Sequence, residues 1–174
     1  NVIIEFEAPK KLHLFYAPIG DNLTSIANAS DGNIEQYLKN FGETRQQQAS
    51  FLARLAVAHT KKANNFDPSR SLQDPNLKIA EYLSKKAVEL NPSVETYVAN
   101  YLLNLKKGNK AEADYYLEKA KSGSLTSVYD YLALGQIRAT DDNIDGAISA
   151  FRSATQTSPN NDVAWSKLGE AVFT

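Results

Sequence analysis

Tyr131, Leu134 and Gly135 recur 34 positions later as Trp165, Leu168 and Gly169. The same interval of 34 links Tyr97 to Tyr131, Ala113 to Ala147, Leu117 to Phe151 and Ala120 to Ala154. A chain that repeats its aromatic and small positions at one such period folds as stacked copies of one supersecondary unit. No copy buries its apolar face alone, so each must rest on its neighbours.

Each residue type has a physical role at its place. Phe151 lies four residues after Ala147 and three before Ala154, on one helical face, so an aromatic is flanked by small side chains. Gly135 and Ala147 stand on opposite arms of a helical hairpin, where small residues let two backbones approach. Thr140-Asp141-Asp142-Asn143 separates the arms, because short polar side chains compete with helical hydrogen bonds and favour turns. Pro159 follows the last turn, where a residue without an N–H ends the helix.

The order Tyr131, Leu134, Gly135, Ala147, Phe151, Ala154, Pro159 resembles the tetratricopeptide repeat family. The resemblance implies an all-α fold, a right-handed superhelical solenoid of helix-turn-helix repeats. Four stretches carry it: 44–93, 94–127, 128–161 and a partial unit, 162–174. The unit 128–161 is complete except for Arg138, which stands at a usual tyrosine position. In 94–127, Asn100 and Tyr101 replace a leucine and a small residue, which predicts a less regular first helix. In 44–93, Ala80, Ala87 and Pro92 match a second helix, but Ser84 replaces its aromatic, with Leu83 or Tyr82 to fill the gap. The first helix of that unit is expected over about 44–63, where Phe51, Leu52, Leu55, Ala56 and His59 follow helical spacing. Residues 64–76 form an insertion relative to the family turn. An insertion of this kind is either a mobile surface loop or a binding loop.

The first 43 residues lie outside the period and form an N-terminal extension. Val2, Ile4 and Phe6, then Leu12, Leu14 and Tyr16, alternate as two short strands would, joined at Ala8-Pro9-Lys10-Lys11 in a β-hairpin. A lone hairpin is marginal in water and must pack on something. Residues 23–28 and 34–41 read as short helices broken near Ser30-Asp31-Gly32. The chain has no methionine and begins at Asn1, and Thr174 falls inside the first helix of a fourth unit. Both ends are therefore expected to be cut or processed, leaving Val172 and Phe173 poorly covered.

Composition narrows the function classes. A chain of 174 residues, 43% hydrophobic with net charge −1, can build a continuous core. No apolar stretch approaches the roughly 20 residues a bilayer crossing needs, so a soluble chain is expected, cytoplasmic or exported. The absence of cysteine removes disulfides, thiolate catalysis and cysteine-ligated metals. His13 and His59 are the two histidines, and no HExxH, GxSxG or phosphate-binding glycine loop accompanies them. No enzyme, catalytic residue, metal or cofactor is expected. Asp141-Asp142-Asn143-Ile144-Asp145-Gly146 matches the start of a calcium loop, but Arg152 occupies its twelfth position, where a bidentate carboxylate is needed. The segment is expected to be the inter-helix turn. Asn22-Leu23-Thr24 and Asn28-Ala29-Ser30 fit the glycosylation pattern, which matters only in a secreted eukaryotic protein.

Charge is uneven. Residues 1–43 carry three Lys and Arg against six Asp and Glu, 44–93 eight against four, and 128–174 three against six. The basic middle holds Lys61-Lys62 and Lys85-Lys86, with Lys106-Lys107 just beyond it, and could steer an acidic partner. The excess is too small for a nucleic-acid surface, and none is expected.

The resemblance further implies that first helices line a concave groove, and it carries over residue by residue to this chain. Val98, Ala99 and Leu102 come from one unit, Tyr129, Leu132, Ala133 and Gln136 from the next, and Val163, Ser166, Lys167 and Glu170 from the last. Ala99 and Ala133 occupy positions where chaperone-binding relatives carry carboxylate-clamp side chains, so a terminal carboxylate clamp is not expected. The implied function is a protein-interaction scaffold that holds a peptide or protein segment. The alternatives are self-assembly through exposed repeat ends, or an accessory region of a larger enzyme or of a secretion or assembly complex.

Overall fold

The computed structural model describes residues 44–63 and 74–173. The strands and short helices expected over 1–43, and most of the insertion, lie outside the described residues. Those described form seven α-helices and no strand: α1 Arg45–Lys62, α2 Pro75–Leu90, α3 Val94–Lys107, α4 Lys110–Ser122, α5 Val128–Thr140, α6 Ile144–Thr157 and α7 Asp162–Val172. The all-α expectation holds for these residues.

The period sets where helices begin. Val94, Val128 and Asp162 open α3, α5 and α7, and Lys110 and Ile144 open α4 and α6, each 34 residues apart. Ser93, Ser127 and Asn161 are the N-caps of α3, α5 and α7, accepting from the backbone N–H three residues on. Such caps contribute about 1 kcal/mol each by satisfying a donor that has no intrahelical partner. The turn between arms repeats as well. Gly108 has φ 75° and Asp142, 34 residues later, has φ 57°. One left-handed residue reverses the chain in both units.

The expected first helix over 44–63 is α1, bounded by Thr44, whose capping box with Gln47 starts it, and by Ala63. Its partner α2 starts at Pro75, with Asp74 as N-cap and proline at the position where a missing N–H costs nothing. Pro75 and Asn76 therefore belong to α2 and not to the insertion.

Consecutive helices pack as hairpins, α1 on α2, α3 on α4 and α5 on α6, while the first helices α1, α3 and α5 also touch in series. Four clusters fill these contacts, one of them the small group Ala63, Leu77, Ala80 and Leu103. Phe51, Leu52, Leu55 and Leu83 meet Ala99 between α1, α2 and α3. Val94, Val98, Tyr101, Ala113 and Ile137 join α3, α4 and α5. Ala147, Phe151 and Ala171 join α6 and α7, with Leu132 against them. Each large apolar side chain so buried contributes about 1.5–3 kcal/mol.

The departures from the period are accommodated, not loose. Ser84 is wholly buried, and the Asn100 side chain donates to its backbone carbonyl at 3.0 Å and to that of Thr96 at 2.9 Å. An amide donor in this core would be costly alone, but both of its N–H groups find acceptors. Tyr101 is buried beside Val98 and Ala113, so the helix expected to pack less regularly packs through a different set of contacts.

Candidate functional site

Four alternate helices turn one face toward a common cleft. On α1, Arg54, Val57, Ala58 and Lys61 are spaced to share a face, as are Tyr129, Leu132 and Gln136 on α5 and Val163 and Lys167 on α7. With Val98 and Glu95 of α3 they line a cleft of about 210 Å³ whose floor is mostly apolar. The guanidinium carbon of Arg54 sits 3.8 Å from the centre of the Tyr129 ring, a cation–π contact that fixes the aromatic wall. At the α7 rim, Lys167 Nζ lies 2.7 Å from the Glu170 carboxylate. That hydrogen bond, and then the lysine charge, hold the Glu170 carboxyl below its ordinary range.

Of the residues expected in the groove, Val98, Tyr129, Leu132, Ala133, Gln136, Val163 and Lys167 meet in this cleft. Leu102 does not; it lines a neighbouring cleft, which shares Val57, Lys61 and Gln136 with the first. Ser166 is exposed on α7 and borders neither. Ala99 is fully buried in the α1–α3 core, so no side chain there could reach a ligand. The α1 wall was not among the expected residues. The insertion displaces α1 from the period, so the groove positions expected in α3, Val98, Ala99 and Leu102, have no counterpart in α1 at 34 residues upstream.

A larger cleft, about 580 Å³, opens between α2, α3 and α4 and is lined by Asn100, Asn104, Asn109 and charged residues. Five of its polar residues are engaged with one another. Asn104 donates to the Asn100 carbonyl, Asn109 to Asn104, and Lys107 pairs with Glu81 at 3.1 Å. It offers less apolar floor than the first cleft, and less reason for a partner to seat there.

The acidic turn at 141–146 has a structural use. Asn143 caps α6 by accepting from the Gly146 N–H at 2.9 Å, and the Arg138 guanidinium donates to the Gly146 carbonyl at 3.1 Å. No group of three or more metal-binding side chains occurs among the described residues. No described helix is long and apolar enough to cross a membrane. His59 is buried where α1 meets α2, and its Nδ1–H donates to the Asn76 side-chain carbonyl at 3.0 Å.

Two polar residues invisible as such in the sequence organise the frame around the cleft. Asp130, on the face of α5 away from the cleft, is 1% exposed and accepts four hydrogen bonds. Glu95 turns its buried side chain to the cleft while its backbone N–H points to Asp130. A capping-box pattern at Ser127 could have flagged Asp130; nothing local flags its reach to α3.

Neither protein-family models, curated proteins nor solved structures yield a match to this chain. The functional reading rests on the chain's own pattern and geometry.

Proposed function

We propose that this chain is a tetratricopeptide-like solenoid, and that its groove holds a peptide or protein segment through apolar side chains. The observation that carries the reading is the convergence of Val57, Val98, Leu132 and Val163, from four helices, on one mostly apolar cleft. Helices that pack in series need not leave such a floor open, and an open apolar floor with few polar handles suits a partner whose own apolar groups fill it. Tyr129, Gln136 and Lys167 supply the handles. The test is a pull-down with the double variant Leu132→Glu and Tyr129→Ala, its helicity checked by circular dichroism. Loss of partner capture is expected; unchanged capture by a folded variant removes the groove assignment.

A second reading, self-assembly through the repeat end, has its own supporting observation. Trp165, Val172 and Phe173 are exposed on and just after α7, Phe173 at 92%. Sedimentation across a concentration range tests it, and a strictly monomeric full-length protein would sink it.

A further inference from the structure

The apolar cleft continues past its own rim. Val57, Lys61 and Gln136 also border the neighbouring cleft of about 370 Å³, whose far wall is Leu102, Leu105 and Lys106. Through these shared residues the two form one trough bordered by α1, α3 and α5, and Leu105, which lines it, is 46% exposed.

The charges of this trough are unbalanced. Arg54, Lys61, Lys106 and Lys167 border it, against the single carboxylate of Glu95. Arg54 is stacked on Tyr129, and Lys167 is paired with Glu170. Among the described residues, Lys61 and Lys106 have no carboxylate within ion-pair distance. Each lies in the last turn of its helix, where a cation offsets the exposed carbonyls. The two line the same cleft, one from α1 and one from α3, together with the apolar Val57, Leu102 and Leu105.

We infer that the occupant of the trough is an acidic amphipathic segment of another protein. Its apolar side chains seat against Val98, Leu132 and Leu102, and its Asp or Glu side chains reach Lys61 and Lys106. This rests on the groove reading above and adds the chemistry of the partner. The carboxylates are side-chain groups within the segment. A chain terminus has no cation waiting for it at Ala99 or Ala133, the first fully buried and the second 8% exposed. Exposed pairs of this kind change affinity by up to about fivefold each, so apolar contact supplies the binding and the lysines choose its sign.

The experiment pans a random dodecapeptide phage library on the full chain, on Lys61→Glu/Lys106→Glu and on Leu132→Glu, each checked for native helicity. The winning peptides are then synthesised with free and with amidated C-termini and measured by fluorescence anisotropy at low and high salt. Expected are peptides that interleave apolar residues with Asp or Glu and weaken with salt. The double charge reversal should weaken them by about fivefold or more, Leu132→Glu should abolish binding, and amidation should leave it unchanged. Apolar peptides without acidic bias, lost with Leu132→Glu but indifferent to charge reversal, would overturn the acidic partner and leave the groove standing. Dependence on a free C-terminus would overturn the side-chain assignment. Absence of any enrichment that depends on Leu132 would overturn both inference and groove.

Discussion

Asp130 ties the start of one helix to the start of another by accepting the Glu95 backbone N–H at 3.0 Å across 35 residues of sequence. Its second oxygen accepts from the Thr126 and Ser127 N–H groups at 3.0 and 3.2 Å and from the Thr126 hydroxyl at 3.1 Å. The Glu95 N–H is one of the donors that α3 leaves without an intrahelical acceptor, and a buried carboxylate on α5 satisfies it. Two neighbouring units are thereby held in register at one atom. Asp130→Ala leaves these donors stranded and should cost about 2–3 kcal/mol in urea unfolding, in the range for hydrogen bonds to charged groups. A loss below about 0.5 kcal/mol would mean water replaces the carboxylate without penalty.

Equivalent glycines of two units should respond with opposite sign. At Gly135 an added Cβ would stand 2.6 Å from Cδ1 and 2.8 Å from Cζ of Phe151, whereas at Gly169 nothing lies within 4 Å. Gly135→Ala must push the ring aside, and overpacking of this kind costs about 1–3 kcal/mol, set against a helix-propensity gain of about 1 kcal/mol. Gly169→Ala meets no obstruction and should gain up to about 1 kcal/mol. Thermal or urea unfolding reads both, and a stabilising Gly135→Ala would refute the close approach. The partner truncation, Phe151→Ala, should cost about 3–5 kcal/mol.

The left-handed turns offer a second matched pair. Gly108→Ala forces a Cβ into a conformation that costs an L-residue about 1–2 kcal/mol, although the space around it is open. Asp142 already holds that conformation, so Asp142→Gly should be neutral or stabilising by up to about 1 kcal/mol. Urea midpoints that moved the other way in both variants would dissociate the turn from its backbone angle.

Stability should fall as the solution is acidified through the histidine range. Burial, with the nearby Lys62 charge acting the same way, holds the His59 imidazole below its ordinary 6.5, and the Asn76 hydrogen bond only partly opposes this. The unfolded chain therefore takes up a proton that the folded chain resists. His59's contribution is whole above about pH 6.5 and shrinks as pH falls toward the folded-state value. Urea midpoints compared at about pH 7.5 and about pH 5 should converge between wild type and His59→Gln at the acid end. Parallel profiles for the two proteins would exclude the histidine as the cause.

Much of this arrangement was legible because helix boundaries and core positions are local properties. Thr44 with Gln47 starts α1, Pro75 starts α2, and the period of 34 sets the other starts. Pairings between helices were not legible. Ser84 and Asn100 read separately as missing apolar groups, yet together they make a buried hydrogen bond across 16 residues. Asp130 reads as an ordinary first-turn acid, since its contact to Glu95 exists only once α3 and α5 are side by side. Glu95 apart, the cleft residues of α3, α5 and α7 are reached through the family resemblance, which carries them from one unit to the next at the interval. Those of α1, Arg54 and Lys61 among them, are not, because the insertion breaks the count even though the spacing within α1 is helical.

The open side of Gly169 also gives the array a direction. α7 rests on α6 and only sparsely on α5, with Phe173 almost wholly in water. Helices in such a row borrow their protection from neighbours on both sides. Amide hydrogens of α7 should therefore exchange with deuterium soonest among the described helices. Those of α3, buttressed by α1, α2, α4 and α5, should exchange last, so that among the described helices protection deepens from α7 toward the middle of the row.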